Sequence, residues 1–537
     1  MASVDAASFP GDGLPAAASA PAPAEPAVTP KLIGAFVALS VGMFMSILDI
    51  QIVASSLTEI QAGLSASSTE IAWVQTAYLI AEIVMIPLTG FLSRALSTRY
   101  LFATAAAGFT VFSVLCATAT SIDEMIVWRA AQGFIGGAMI PVVFSAAFTV
   151  FPKSRQAMVA AMVGLIATLA PTVGPTVGGF LTNAFSWHWL FLINVIPGIA
   201  VTIAVLLLVD FDEPDFGLLR HFDWPGLITL AAFLGSLEYV LEEGSSKDWF
   251  ADESIALFAV VTVVSGAAFF WRAFTAKEPI VDIKAFADRN FAVGSLFSFV
   301  LGVGLYGLVY LFPVFLARVR GYDSLEIGNT MFVAGAFMML TAPIAGTLAQ
   351  RMDPRLMMGI GLALFAISCF QLVPITGDWA FAELFTAQAV RGVALMTCML
   401  PVSVLALGTL PPDRVKNASG LFNLTRNLGG AFGLAIITTV LNKRWDLHIA
   451  RLHEAVNWAR TAATEQLDAL TQGFSATLGS DAASQALSVL NGKVRGQALV
   501  MAFSDVFLLL VLIFIGVLLL IPLARKPQPT EPGVGGH

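Results

Sequence analysis

Asp49, Glu82 and Arg129 are ionisable side chains inside long apolar runs. On insertion scales such a charge costs roughly 2.5–3.5 kcal/mol, so its presence points to chemistry rather than to surface solvation. Counted along helices of 1.5 Å rise, Asp49 falls roughly 12 Å and Arg129 roughly 8 Å from the same membrane face. A carboxylate and a guanidinium at similar depth can exchange their pairing for a proton, or can form a static pair that ties two helices together. Glu82 stands near the middle of its run, with no cation in its own segment before Arg94. Desolvation there favours the neutral acid, which suits either proton loading and release or a plain hydrogen bond to a neighbouring helix.

The second half of the chain offers cations. Arg391 lies near mid-membrane with Gln388 one turn before it, and Arg426 lies at similar depth beside Asn423 and Asn427. These groups either bind an anionic or hydrogen-bonding part of a substrate or tie helices. Asp505 and Glu238 fall near outer helix ends, and interfacial placement reads as structural for both.

Positioning these residues needs helices that cross lipid. The 537-residue chain is 57% hydrophobic and 12% charged. Its charges cluster between apolar runs near 33–57, 72–93, 101–120, 124–148, 156–181, 189–209, 224–241, 254–273, 290–316, 325–349, 354–375, 379–408, 416–441 and 498–523. Backbone polar groups in lipid must be satisfied within their own segment, so these are fourteen helices of an all-α polytopic membrane protein. With the N-terminus cytoplasmic, Lys and Arg concentrate in the inner loops, while the short outer loops hold only Lys247, Arg318 and Arg320. The positive-inside rule thus places both termini in the cytoplasm.

Pro87-x-x-Gly90-x-Leu92 followed by Arg99 recurs as Pro343-x-x-Gly346-x-Leu348 followed by Arg355. Such a repeat implies two homologous six-helix halves around a central site. The expected organisation is a disordered cytoplasmic tail over 1–32, a six-helix half over 33–210, and a linker with two inserted helices over 211–289. A second six-helix half follows over 290–523, including an extracytoplasmic segment 442–497 that is mixed-charge and helical in pattern, and then a cytoplasmic tail over 524–537.

Residues 164–180 read GLIATLAPTVGPTVGGF, unusual for a lipid-spanning helix. Gly174 and Gly178 share a face and admit a close helix neighbour. Pro171 and Pro175 each remove a backbone hydrogen bond. With Ala170 and Gly179 they read as a hinge and packing seam.

These features resemble the major facilitator superfamily, and within it the fourteen-span drug:proton antiporter branch of EmrB/QacA type. The resemblance rests on Ile47–Val53 in the first span, Trp128-Arg129-Ala130-Ala131-Gln132-Gly133 in the fourth, and Ala170-Pro171, Gly174-Pro175 and Gly178-Gly179 in the fifth. Trp189–Val195, Phe222–Gly226 and Asn423–Gly430 add to it. It implies a major facilitator fold in the inner membrane and proton-coupled export of varied apolar or amphipathic toxic compounds. A proton symporter or uniporter for one small molecule is the alternative. It also implies Asp49, Arg129 and Glu82 as proton-coupling residues, no cofactor beyond the proton gradient, and a loop motif carried by Gly90, Arg94 and Arg99. Segment 442–497 either meets a periplasmic adaptor leading to an outer-membrane channel or is a solvated hairpin. The loop departs from the family in one respect: positions 90–97 contain no aspartate.

Other classes lack support. Cys116, Cys369 and Cys398 lie singly in apolar runs, and the five histidines show no ligand spacing, so no metal site is expected. Gly492-Lys493 lacks the remainder of a phosphate loop, which argues against an ATP-driven pump. No basic arm suits nucleic acid, and no loop gathers catalytic side chains.

Overall fold

The computed structural model describes residues 28–525 except 68–69, 277–278, 323, 458 and 479–480. The tail expected over 1–32 lies outside the described residues up to position 27, and that over 524–537 from position 526.

Among the described residues there are helices and no strands. The first half runs through α1 (Pro30–Ala54), α2 (Leu57–Leu64), α3 (Ala72–Ala117), α4 (Ile122–Gly136), α5 (Met139–Thr149), α6 (Lys153–Ala184), α7 (Trp189–Leu192) and α8 (Val195–Leu208). Two helices follow, α9 (Trp224–Glu243) and α10 (Glu253–Thr275). The second half contains α11 (Arg289–Phe315), α12 (Ser324–Ala349), α13 (Pro354–Gln371), α14 (Phe381–Leu407), α15 (Pro412–Ala455), α16 (Thr461–Leu478) and α17 (Ala482–Leu518). Short polar side chains set several starts: Thr29, Ser121, Asp223, Asp252, Asp288 and Asp353 each accept a first-turn N–H.

Among the described residues, thirteen helical stretches are long and apolar enough to span a membrane. One of them, the 46-residue α3, turns at Ser97, whose φ of 69° lies in the left-handed region. Both of its arms reach α4: Tyr78 lies against Gly133 and Phe109 against Gly136. A straight helix would separate those two contacts by roughly 45 Å, so α3 folds back and supplies two crossings. The fourteen spans of the sequence are therefore present.

The repeat is visible in packing. A methyl group added at Gly133 would strike the Tyr78 carbonyl, and one at Gly392 would strike that of Ala334. Tyr78 and Ala334 stand at the same spacing before Pro87 and Pro343. Two seams join the halves. Along α6 and α12, a Cβ at Gly346 would lie 3.6 Å from Met158 Cα, one at Gly335 3.3 Å from Leu169, and Gly328 meets Thr176. Along α3 and α15, a Cβ at Gly90 would lie 2.6 Å from Asn417 Cα, and one at Gly420 3.0 Å from the Ile86 carbonyl. Small residues bring these backbones close, as packing in lipid requires.

One face of the bundle holds both ends of the described chain, with Lys31 3.5 Å from Asp210 and Arg289 donating to the Leu523 carbonyl. This is the terminal face, and the opposite one is the distal face. On the distal side α15 and α17 run on beyond the bundle. A 44-residue helix spans roughly 65 Å, about twice a bilayer core. Their extensions are tied by Trp445 Nε1 donating to the Arg495 carbonyl at 3.1 Å, and α16 packs on α17. Segment 442–497 is thus largely helical.

Candidate functional site

Four elements meet around Asp49. It projects from α1 with no exposed surface, and so does Arg129 from α4. Arg129 Nη1 donates to Asp49 Oδ2 at 2.6 Å, so the two groups placed at similar depth form an ion pair, as the family resemblance implied. The same nitrogen donates to Gln132 Oε1 at 2.7 Å, and Gln132 Nε2 donates to Ser113 Oγ on the second arm of α3 at 2.7 Å. Asn194, at the start of α8, donates to Asp49 Oδ1 at 2.7 Å and to Ser113 Oγ at 3.1 Å. Arg129 Nε reaches the Val74 carbonyl at 3.3 Å, and its guanidinium lies 4.2 Å from the centre of the Tyr78 ring. Both carboxylate oxygens of Asp49 are therefore engaged, as a charge held away from water requires. Every member of the network belongs to the first half.

Sequence reasoning had not assigned Ser113, Gln132, Asn194 or Tyr78 to this site. Gln132 and Asn194 sat within motifs that carried the family resemblance, so a signal existed for them. Nothing in the sequence marked Ser113.

Glu82, on the first arm of α3, is 3% exposed, and its Oε1 has no hydrogen-bond partner. It lies within electrostatic range of Arg129 and Asp49 without joining their network.

The second half is built differently. Gly133 and Gly392 correspond, which sets Gln388 where Arg129 stands and Arg391 where Gln132 stands. Among the described residues there, no carboxylate answers Asp49. Arg391 is 2% exposed, its Nε and Nη1 have no partner, and it lies 4.9 Å from the Phe312 ring centre. Gln388 Nε2 faces Met331 Sδ at 3.6 Å and its Oε1 is unpaired. Arg426 lies between Phe144 of the first half and Phe422, at 4.8 and 5.1 Å, and borders a small void with Leu301, Leu305, Leu395 and Met399. Asn423 turns onto its own helix, donating to the Ser419 carbonyl at 2.8 Å, and does not join Arg426.

The Gly/Pro stretch lies on α6, which runs unbroken through Pro171 and Pro175. Gly174 meets Gln51 of α1, and a Cβ at Gly178 would lie 2.6 Å from Ser55 Oγ and 3.0 Å from the Ile52 carbonyl. Ala170 is buried. The seam seats α6 just beyond Asp49. The 90–99 loop, lacking its own aspartate, receives Asp212 from the segment after α8. That carboxylate accepts the Thr98 N–H at 2.9 Å and pairs with Lys416 of α15, linking the halves at the terminal face. The Arg94 carbonyl accepts from Asp215, while Arg99 lies over the Tyr100 ring. Asp505, read as structural, holds Arg444 at 2.6 Å and His448 at 2.7 Å.

Two repeated six-helix halves, a buried ion pair within one, and close seams between them define a multi-pass membrane transporter. The chain belongs to the Major Facilitator Superfamily, whose family model matches residues 39–434. It is similar to the colistin resistance protein EmrB of Acinetobacter baumannii, 42% identical over 89% of this chain and 93% of that one. It is also similar to the multidrug export protein EmrB of Escherichia coli, 29% identical over 94% and 98%. Among solved structures, the human organic anion transporter MFSD10 matches at TM-score 0.55 and 14% identity, over 90% of this chain and all of that one. The proton:xylose symporter XylE matches at TM-score 0.55 and 11% identity, over 90% and 94%. The protein is a transporter of the inner membrane and not an enzyme.

Proposed function

We propose that the chain exports structurally varied, largely apolar toxic compounds across the inner membrane in exchange for protons, by alternating access. The observation that carries this reading is the fully buried Asp49–Arg129 pair with its supporting donors Gln132, Ser113 and Asn194. Protonating Asp49 removes the charge that holds Arg129, so proton binding on one side and release on the other can bias which arrangement of α1, α3, α4 and α8 is stable. The names of the EmrB relatives support export rather than import. Glu82 is a second proton-handling group, and Arg391, Gln388 and Arg426 offer unpaired polar atoms to substrate. No cofactor is needed beyond the proton gradient.

The distribution of Lys and Arg supports an orientation with the terminal face in the cytoplasm. The extended α15 and α17, with α16, then stand outside the membrane, where they offer a helical surface to an adaptor that continues the path to an outer-membrane channel.

Everted vesicles with an acid interior test the reading. Several unrelated dyes and antibiotics should each discharge the gradient only when the protein is present. Substrate movement indifferent to the gradient would indicate a uniporter, and uptake coupled in the opposite sense a symporter. Asp49→Asn should abolish discharge while the protein still inserts and purifies as a monodisperse species. Undiminished exchange by that variant would remove Asp49 from the mechanism.

A further inference from the structure

The inserted helix α9 is wedged between the two halves. Helices α3 and α15 meet directly at Gly90 and Gly420, toward the terminal face. Further toward the distal face, both pack on α9 instead. Gly235 lies against Ile80 of α3, Tyr239 stacks on Trp73 of α3 at 5.4 Å, and Leu241 packs with Ala431 and Ala435 of α15. Glu238, read from the sequence as interfacial, is only 5% exposed, so this face of α9 turns inward.

The connector 244–252, between α9 and α10, closes the distal end of the wedge through one side chain. Trp249 packs with Tyr239, Val240 and Ile255, the group that holds Trp73 and Ile80 of the first half. It packs equally with Leu241, Ala431 and Ala435, the group that holds α15 of the second. Its Nε1 donates to Thr439 Oγ1 at 3.0 Å, and Asn442 of the same helix donates to Ser245 Oγ at 3.4 Å. The indole is seated on Gly244, where a Cβ would lie 2.7 Å from the ring. Lys247 donates to the Tyr239 hydroxyl at 2.7 Å and so fixes the other edge of the connector.

This seating strains the backbone. Asp248 and Trp249 have φ of 53° and 56°, two successive left-handed residues. Aspartate tolerates that region, but for a side chain as bulky as tryptophan it is an outlier that persists only where the surroundings impose it. Here the surroundings come from both halves. If the halves part at the distal face, the indole loses one of its two packing groups and the backbone is free to return to the ordinary region. Strain held by a contact between moving bodies suits a strap with two settings better than a passive turn.

We infer that the 244–252 connector is a distal strap: Trp249 seated on Thr439 holds the halves shut at that face, and its release accompanies opening there. It is the counterpart of the Asp212–Lys416 link at the terminal face. The inference rests on the alternating-access reading and gives the inserted helix pair a part in it.

Double electron–electron resonance between labels at Ala251→Cys and Lys443→Cys, both exposed positions, reads the strap in the purified full-length protein. The native Cys116, Cys369 and Cys398 are buried. The otherwise unchanged chain should show a short distance that matches the seated strap and a minor longer one. Thr439→Val keeps the side chain's shape but removes the acceptor of Nε1, and should raise the longer population about fivefold, the worth of one hydrogen bond. In vesicles, joining Ser245→Cys to Asn442→Cys with a short bifunctional thiosulfonate should stop exchange, and a reductant should restore it. One unchanging short distance with and without Thr439→Val, or full exchange with the strap cross-linked, overturns the inference. Vesicles that exchange nothing even without the cross-link, while the labels still report two settings, count against the export reading and leave the strap standing.

Discussion

At the scale of single residues, the site is governed by the difference between a paired and an unpaired buried charge. Asp49 is held by Arg129 and Asn194, so its carboxylate is satisfied at every oxygen. Removing Arg129 leaves that carboxylate stranded, and breaking a buried pair in this way costs about 3–5 kcal/mol. Arg129→Ala should therefore lower the thermal midpoint in detergent strongly. Adding Asp49→Asn to it should restore much of the loss, because a neutral amide is far cheaper to bury than an orphaned charge. A double variant as unstable as the single would show that the guanidinium matters through its packing on Tyr78 instead. Neither variant should transport.

At the scale of elements, glycines decide how near helices come. Helix α6 touches α1 at Gly178 with the Ile52 carbonyl and Ser55 Oγ beside it. A backbone oxygen cannot repack as a flexible side chain can, so Gly178→Val should force the helices apart at about 1–3 kcal/mol. Export should fall more than protein yield does, since the displaced helix packs on α1 at Gln51 and Ile52, just beyond Asp49. Full export from that variant, in the vesicle assay, would mean that the seam tolerates separation. Elsewhere the tertiary fold supplied what a segment lacked. The loop after the first arm of α3 has no aspartate of its own, yet Asp212 reaches it from the other end of the half and carries the link on to Lys416. Ser97 accepts a left-handed backbone at the same turn.

At the scale of the whole molecule, the two halves share a fold and differ in charge. The first carries a neutralised pair, and the second carries Arg391 with unpaired nitrogens. Alternating access requires the halves to rock across their seams, and the α6–α12 seam gives a direct test. A Cβ at Gly346 would stand 4.0 Å from that of Met158, a separation suited to a disulfide. Oxidising the Gly346→Cys/Met158→Cys pair should stop export, and a reductant should restore it. Export that continues in the cross-linked protein would show that this seam stays closed throughout the cycle.

The sequence by itself determined the membrane class, the fourteen spans, the repeat and the similar depth of Asp49 and Arg129, while their pairing across α1 and α4 was decided by the fold. All but the pairing follow from rules that act locally: apolar runs must form helices in lipid, a charge within one is costly, and depth along a helix is a matter of counting. Only the tertiary structure decided that Ser113, Gln132 and Asn194 complete the network, and that Asp212 serves the loop around Thr98. It likewise turned Glu238 from an interfacial residue into an interior one. Those outcomes depend on which helix lies beside which and on the rotation of each about its axis. Hydropathy carries little of that information, because in lipid both an outward and an inward face are apolar.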